Sequence, residues 1–365
     1  MASSIEDDKR DEILTDGGDE SVDKLHLMAG GFMTTQILCT AVGLGLPDRF
    51  HEAPMSAASL AALTNADVSS LRRFLFMMVV LGLLTQVDED RFQLSDLGAY
   101  LRSDHPKSLA ERLLYIGQVN YRAALGMSHA VTTGETAFGH IFGKSFFEFL
   151  GERRDVGGLF DRQMAEAARR RIRGVLSACD FANAKMIVDV AGGTGALLEA
   201  LLRANPAARG TLVETVEVAA EAKKSLLSSK LASRMEIYAC DIFQGPIPAG
   251  GDLYILSNVI HDWDDARALQ ILRTCRGAMS SENRLLLVEE ILPTKALDAP
   301  ATVASDFSML LLTGGKERTE HEYRIMLESA AFELVSVKPF ALTRAHNGRR
   351  TNWAVLECRI SPSEI

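Results

Sequence analysis

Cysteine is scarce and unpatterned in this 365-residue chain. Cys39, Cys179, Cys240, Cys275 and Cys358 stand far apart, with no C-x-x-C pair among them. An odd, scattered set argues against a disulfide scaffold or a zinc site, and reads as a reduced, cytoplasmic chain. Long apolar runs are missing too. The longest, Phe74 to Leu84, falls well short of the roughly 20 residues of a bilayer span, so no membrane partner is expected. The N-terminus is acidic and polar, without the features of a secretory signal. There is no excess of basic charge: 39 Lys and Arg face 48 Asp and Glu, a net charge of −9. The first twenty residues supply −6 of it, so the remainder carries only −3. Phosphate backbones and anionic lipids both call for surplus Lys and Arg, and no nucleic-acid partner is expected.

What is present is apolar material in quantity. Hydrophobic residues make up 47% of the chain, enough for a sizeable core and for two domains. Residues 1–20 read as a disordered acidic tail, without apolar periodicity. From Val22 to Phe50 the chain reads as a helix that is apolar nearly all round. Such a helix wants burial on most sides, and a partner subunit would supply the missing one; a homodimer is expected. Ser59–Leu63 and Ser69–Leu84 then read as helix, turn, helix. Thr85 to Leu94 alternates around an acidic turn, as a hairpin does. Together they make a winged helix whose wing carries Asp88, Glu89 and Asp90. Phosphate would be repelled there, so residues 21–107 are expected to be an interaction domain. Residues 108–180 look mainly helical. They contain the only basic cluster, Arg169-Arg170-Arg171-Ile172-Arg173. Its plain reading is a solvated helix face near a domain junction; the other is a place in a cleft near an anionic group.

From Lys185 the period changes. Strands are expected at Met186–Val190, Thr211–Glu214, Met235–Ala239, Leu253–Ser257 and Arg284–Glu289. Helices are expected at Ala196–Ala204, Val218–Ser228 and Asp264–Met279. Repeated βαβ units give an α/β fold with a parallel doubly wound sheet. The end differs: Phe332–Pro339 and Asn352–Cys358 are joined without a helix, which implies an antiparallel hairpin at the sheet edge.

Four segments carry chemistry. The first strand ends in Asp189-Val190 and runs through Gly192-Gly193-Thr194-Gly195 into a helix. Glycines there let a ligand approach the backbone. Leu198 stands where a dinucleotide fingerprint needs its third glycine, which counts against a nicotinamide. Glu214 closes the second strand, where a carboxylate can accept both hydroxyls of a ribose. Asp241 follows the third strand, placed to accept from an adenine amino group with Ile242 or Phe243 on the ring; a helix N-cap is the plainer reading. The fourth strand leads into Ser257-Asn258-Val259-Ile260-His261-Asp262-Trp263-Asp264-Asp265. Its end is where ligands bind in open α/β sheets, so His261 is poised at a site. The three Asp residues are set aside as metal ligands, because Asp264 and Asp265 open a helix and suit its N-terminus. Glu289 and Glu317 are the remaining acids of interest. A carboxylate on one imidazole nitrogen fixes the tautomer and leaves the other nitrogen to take a proton. For Glu317 the plainer readings are an N-cap or a salt bridge with Arg318.

Taken in order, Asp189 to Gly195, His261-Asp262-Trp263, Glu289-Glu290-Ile291-Leu292-Pro293 and Gly314-Gly315-Lys316-Glu317-Arg318-Thr319 resemble the S-adenosylmethionine-dependent O-methyltransferases of the caffeate/hydroxyindole type. The resemblance spans about residues 22 to 359 and includes bacterial enzymes that tailor antibiotics. It implies a winged-helix, all-helical dimerisation domain (21–107), a helical linker and substrate lid (108–180) and a Rossmann-like, seven-stranded class I methyltransferase domain (181–365). It implies His261 as general base flanked by Glu289 and Glu317. Asp189, Gly192, Gly193, Gly195, Glu214, Asp241, Ile242, Phe243, Ser257 and Trp263 would hold S-adenosylmethionine, with no metal. Phe160, Met164, Asn258, Met309 and Leu312 would line the pocket of a small aromatic acceptor. Leu312 stands where plant members tend to have Asn, which favours a larger, more apolar phenol or quinone. Some relatives keep the cofactor as a charged scaffold for hydroxylation, decarboxylation or pericyclic steps. The intact His261, Glu289 and Glu317 set favours methyl transfer over that alternative.

Overall fold

Capping residues set the first helices of the chain. In the computed structural model, which describes residues 20–50, 53–226, 229–342 and 350–362, the chain divides into two units, Met1–Gln118 and Val119–Ile365. The expected acidic tail lies almost wholly outside the described residues. In the first unit, helix α1 (Glu20–Gly43) is followed by strand β1 (Met55–Ser56). The Ser56 hydroxyl accepts from the Ser59 amide and starts α2 (Ala57–Thr64), and Asn65 ends it in the left-handed region at φ 52°. Asp67 caps α3 (Val68–Val80) through the Ser70 amide at 2.8 Å. The apolar pattern of the sequence extends this helix to Leu84. Gly82, at φ +71°, instead turns the chain, and Leu84 begins β2 (Leu84–Gln86), paired with β3 (Arg91–Leu94). The three short strands order as β1-β3-β2, the wing of a winged helix. Leu46, Phe50, Leu60, Leu75, Met78 and Phe92 fill the core beneath them. The wing acids have partners: Asp88 accepts from Arg91 at 2.6 Å, and Asp90 lies 3.8 Å from Arg72.

The expectation that α1 is buried on most sides holds only for its last turns. Ile37, Cys39, Ala41 and Val42 are buried, while Leu25, Leu27, Met28, Phe32 and Met33 are half or more exposed. By length and apolarity alone α1 could cross a bilayer, a property it shares with helices that pack against protein.

The second unit begins with short helices tied by aromatic contacts: Phe138 meets Phe146 and Phe149, and Phe146 meets Phe160, at 5.4 Å each. Helix α4 (Arg154–Ala178) leads to the sheet, made of β4 (Met186–Val190), β5 (Arg209–Glu214), β6 (Met235–Ala239), β7 (Leu253–Ser257), β8 (Arg284–Glu290), β9 (Phe332–Pro339) and β10 (Trp353–Ile360). Their order is β6-β5-β4-β7-β8-β10-β9, parallel through β8 and antiparallel around β10. Helices α5 (Ala196–Ala204), α6 (Val216–Leu226) and α7 (Asp265–Ala278) sit at the expected crossovers. Two more, α8 (Pro300–Leu312) and α9 (Glu320–Ser329), lie between β8 and β9, where the sequence reading assigns no element. The strand order reverses at β4, so β4, β5 and β7 end at the switch point where ligands bind in this class of sheet.

Candidate active site

The glycine loop leaves β4 under tight steric rules. A Cβ on Gly192 would stand 2.4 Å from the Asp189 carboxylate, and Gly193 adopts φ +62° with open space where a Cβ would be. The Gly193 amide donates to Glu214 Oε1 at 2.8 Å, and the Thr215 amide to Oε2 at 2.9 Å. Glu214 therefore stands at the end of β5, fixed against the loop. Asp189 is fully buried, and among the described residues only the Leu198 amide reaches its carboxyl, too loosely for a well-formed hydrogen bond. Burial and the nearby Glu214 raise the Asp189 carboxyl to about 7. Burial also raises Glu214 to about 7, against the pull of its two amide donors. Asp241 is exposed; it accepts from the Phe243 amide and the Gln244 side chain in a local turn, so it caps no helix. Ile242, Phe243 and Trp263 are partly buried, with Phe243 edge-on to Trp263 at 4.6 Å. Ser257, at the end of β7, and Asn258, at φ 62°, are partly exposed. An unsatisfied buried carboxylate, an open glycine cradle and a fixed acid at a strand end are a set that fits an adenosine-type cofactor.

A second cluster lies beside it. His261 follows β7 in a short turn, 5% exposed. Its Nδ1 meets Glu317 Oε1 at 2.8 Å, while Nε2 has no hydrogen bond and lies 3.6 Å from Asp262. Glu289, fully buried on β8, accepts from the Val259 and Ile260 amides through Oε1 and leaves Oε2 unpartnered. It therefore holds the backbone that carries His261. Glu317 is reached through Gly315, where a Cβ would stand 2.0 Å from the His261 carbonyl oxygen. Neither plainer reading of Glu317 applies. Arg318 pairs with Asp265 at 2.9 Å, and Thr319 caps α9 with Glu322. Burial by itself lowers the His261 pKa, but Glu317, Asp262 and Glu289 outweigh it and raise it above the ordinary imidazole range. Burial raises the Glu289 carboxyl to about 7. His261, Glu289 and Glu317 bring one ligand atom each within 4.8 Å of one another, although two of the three side chains are already engaged with each other.

The two clusters point to one activity, and comparison with known proteins decides the family. The O-methyltransferase domain matches residues 125–333, and the O-methyltransferase dimerisation domain matches residues 26–104. The chain belongs to the O-methyltransferase family. This O-methyltransferase is 37% identical to the phenazine O-methyltransferase of Lysobacter antibioticus, over 86% of this chain and 92% of that one. It is 35% identical to the O-demethylpuromycin O-methyltransferase of Streptomyces alboniger, over 88% of each. An O-methyltransferase from neocarzinostatin biosynthesis, solved with S-adenosylmethionine and 2-hydroxy-5-methyl naphthoic acid, superposes with a TM-score of 0.79. It is 29% identical and covers 90% of this chain and 96% of that one. S-adenosylmethionine is the cofactor, and the fold is that of class I methyltransferases. The dimerisation domain covers most of exposed α1 and supports a homodimer.

The pocket residues are more scattered. Phe160 sits in the aromatic contacts of α4, Met164 is 36% exposed one turn on, and Met309 and Leu312 lie on α8. Sequence reasoning missed what α8 contributes. Ser305 donates to Glu317 Oε1 at 2.8 Å, Asp306 accepts from the Glu317 amide at 2.9 Å, and Thr302 donates to Glu290. Their spacing of three and four residues is the one signal that could have placed them on one helix face. The basic cluster also divides. Arg169 and Arg170 pair with Glu166 near the surface, as a solvated face would, but Arg171 is 7% exposed.

Proposed function

We propose that this enzyme methylates a phenolic hydroxyl of an aromatic or quinone-type natural-product intermediate, with His261 as general base. The observation that carries this reading is the state of the His261 ring: Nδ1 is committed to Glu317, and Nε2 is buried without a hydrogen bond. Such an imidazole has one nitrogen oriented and the other left for a proton. S-adenosylmethionine, when bound, supplies an activated methyl group.

The chain's residues do the rest. Glu214 accepts the ribose hydroxyls, with Gly192, Gly193 and Gly195 shaping the loop so that its backbone can approach the cofactor. Asp241 takes the adenine amino group, with Ile242, Phe243 and Trp263 around the ring. Asp189 supports the loop, and Ser257 faces the methionine end. Phe160, Met164, Asn258, Met309 and Leu312 hold the acceptor ring, so that its hydroxyl meets His261 Nε2. Glu317 stabilises the imidazolium as the proton arrives, and Glu289 fixes the backbone beneath it. Proton removal of this kind contributes roughly 10²–10⁴-fold, and positioning much of the remainder. In this reading the protein works as a cytoplasmic homodimer, residues 21–107 forming the dimerisation domain and 108–180 the lid. It has no nucleic-acid or membrane partner.

His261→Ala tests the assignment. S-adenosylhomocysteine affinity should stay within about twofold while methyl transfer falls roughly 10²-fold, because only a transition-state interaction is lost. Full activity in the variant would remove His261 from the mechanism. A labelled methyl group that stays on the cofactor while an acceptor is converted would establish the scaffold chemistry instead.

A further inference from the structure

Arg171 is a buried cation that neither the cofactor site nor the base cluster uses. It is 7% exposed, its Nε is enclosed without a hydrogen bond, and no ion pair involving it is found among the described residues. Enclosing an unpaired guanidinium costs several kcal/mol, so an arrangement of this kind calls for an anion. Its place is well defined. The guanidinium carbon lies over the Trp353 ring, 4.8 Å from the centroid. Trp353 is paired across the sheet with Glu290, the neighbour of Glu289. Stacking on an indole fixes the plane of the guanidinium, which readies its paired N–H groups for bidentate binding.

Among the described residues none of the protein's own acids pairs with it. Glu289 is held through Oε1 by two amides and Glu317 through Oε1 by His261 and Ser305, each with its Oε2 unpartnered but not bonded to Arg171, and Glu290 is held by Thr302. All three are near enough to support the charge on Arg171, whose pKa burial lowers only to about 10. Arg171 is thus cationic at neutral pH, beside the base cluster but bonded to none of it. It also lies two turns beyond Met164 on α4. Seven residues of α-helix bring both side chains to one stripe of the helix. The stripe runs from the aromatic contacts at Phe160, past Met164 and Arg171, to fully buried Val175.

We propose that Arg171 anchors a carboxylate of the aromatic acceptor, so that the enzyme prefers phenols bearing an acidic substituent over neutral ones. The proposal rests on the reading of His261 and α4 as the acceptor site. The same chemistry could come from the methionine carboxylate of the cofactor, and the two sources give different results.

The probes are 1-hydroxy-2-naphthoate and 1-naphthol, titrated calorimetrically into the homocysteine-cofactor complex of wild type, Arg171→Met and Arg171→Lys. Wild type should bind the naphthoate at least about tenfold more tightly than the naphthol, as a charge-assisted pair would give. In Arg171→Met this preference should vanish, with naphthol affinity unchanged within about twofold. Arg171→Lys should retain part of it. Saturable naphthol and S-adenosylhomocysteine binding by the variants shows that they are folded, and the lysine variant covers a failure of the methionine one. Three results overturn the proposal: no preference or no naphthoate binding in wild type, a preference that survives in both variants, or a loss confined to S-adenosylhomocysteine, which would assign the carboxylate to the cofactor. Because binding is read directly, a failure of methyl transfer with a preserved naphthoate preference would count against the O-methylation reading and not against Arg171.

Discussion

Glu317 Oε1 serves two donors, the His261 ring and the Ser305 hydroxyl, each at 2.8 Å. The carboxylate raises the His261 pKa, so the neutral, proton-accepting ring gains population as pH rises. Removing the charge in Glu317→Gln should lower that pKa. The acidic limb of the pH–rate profile should move to lower pH by at least one unit, while the plateau rate falls about tenfold. An acidic limb that stays in place would separate Glu317 from the base. Glu214 offers a second test at this scale. Glu214→Ala should weaken S-adenosylhomocysteine binding about ten- to a hundredfold by calorimetry, the value of one or two charge-assisted hydrogen bonds. Because burial holds Glu214 and Asp189 near 7, ligand binding to the ionised form should strengthen as pH rises from 5.5 to 7.5. Protons should be released on binding. EDTA should leave the rate unchanged, since the assigned roles of His261, Glu289 and Glu317 require no ion.

The loop between α8 and α9 shows how an element can place a catalytic side chain through backbone fit alone. Gly315 lies so close to the His261 turn that an added Cβ would also stand 2.6 Å from the Trp263 amide nitrogen. The neighbouring atoms are backbone and have little room to yield. Gly315→Ala should destabilise the protein by about 2 kcal/mol and lower methyl transfer with it, as thermal unfolding and initial rates would report. Much at this scale could be read from sequence. β4, β6, β7 and β9 begin and end at the residues the sequence pattern marks for them, and the Gly-Gly-Lys-Glu motif points to Glu317. What could not be read depends on docking. Ser305 is only 12 residues from Glu317, but their contact requires α8 to lie against the loop. Proline at its start and an Ala, Ser, Thr and Leu composition gave that helix little amphipathic signature. Arg171 sits in a run of arginines that reads as surface, and only the packing of α4 on β10 buries it. The end of α3 differs in kind: apolar Leu83 and Leu84 continue the helical pattern beyond Val80, and Gly82 overrides it.

For the whole molecule, the exposed stripe of α1 is the main fact. Leu25, Leu27, Met28, Phe32 and Met33 form an apolar surface that a lone chain would show to water. Light scattering should give about twice the 39.8 kDa chain mass at micromolar concentration. Met28→Asp with Phe32→Asp should shift the protein to monomers without changing β4–β10. A wild-type mass near 40 kDa would oppose the dimer. The same stripe has a thermodynamic consequence. If folding of the first unit draws on a second chain, unfolding produces two particles from one, and mass action enters the equilibrium. The melting temperature then rises with the logarithm of protein concentration. Two preparations of identical sequence, one dilute and one concentrated, would not share a single value.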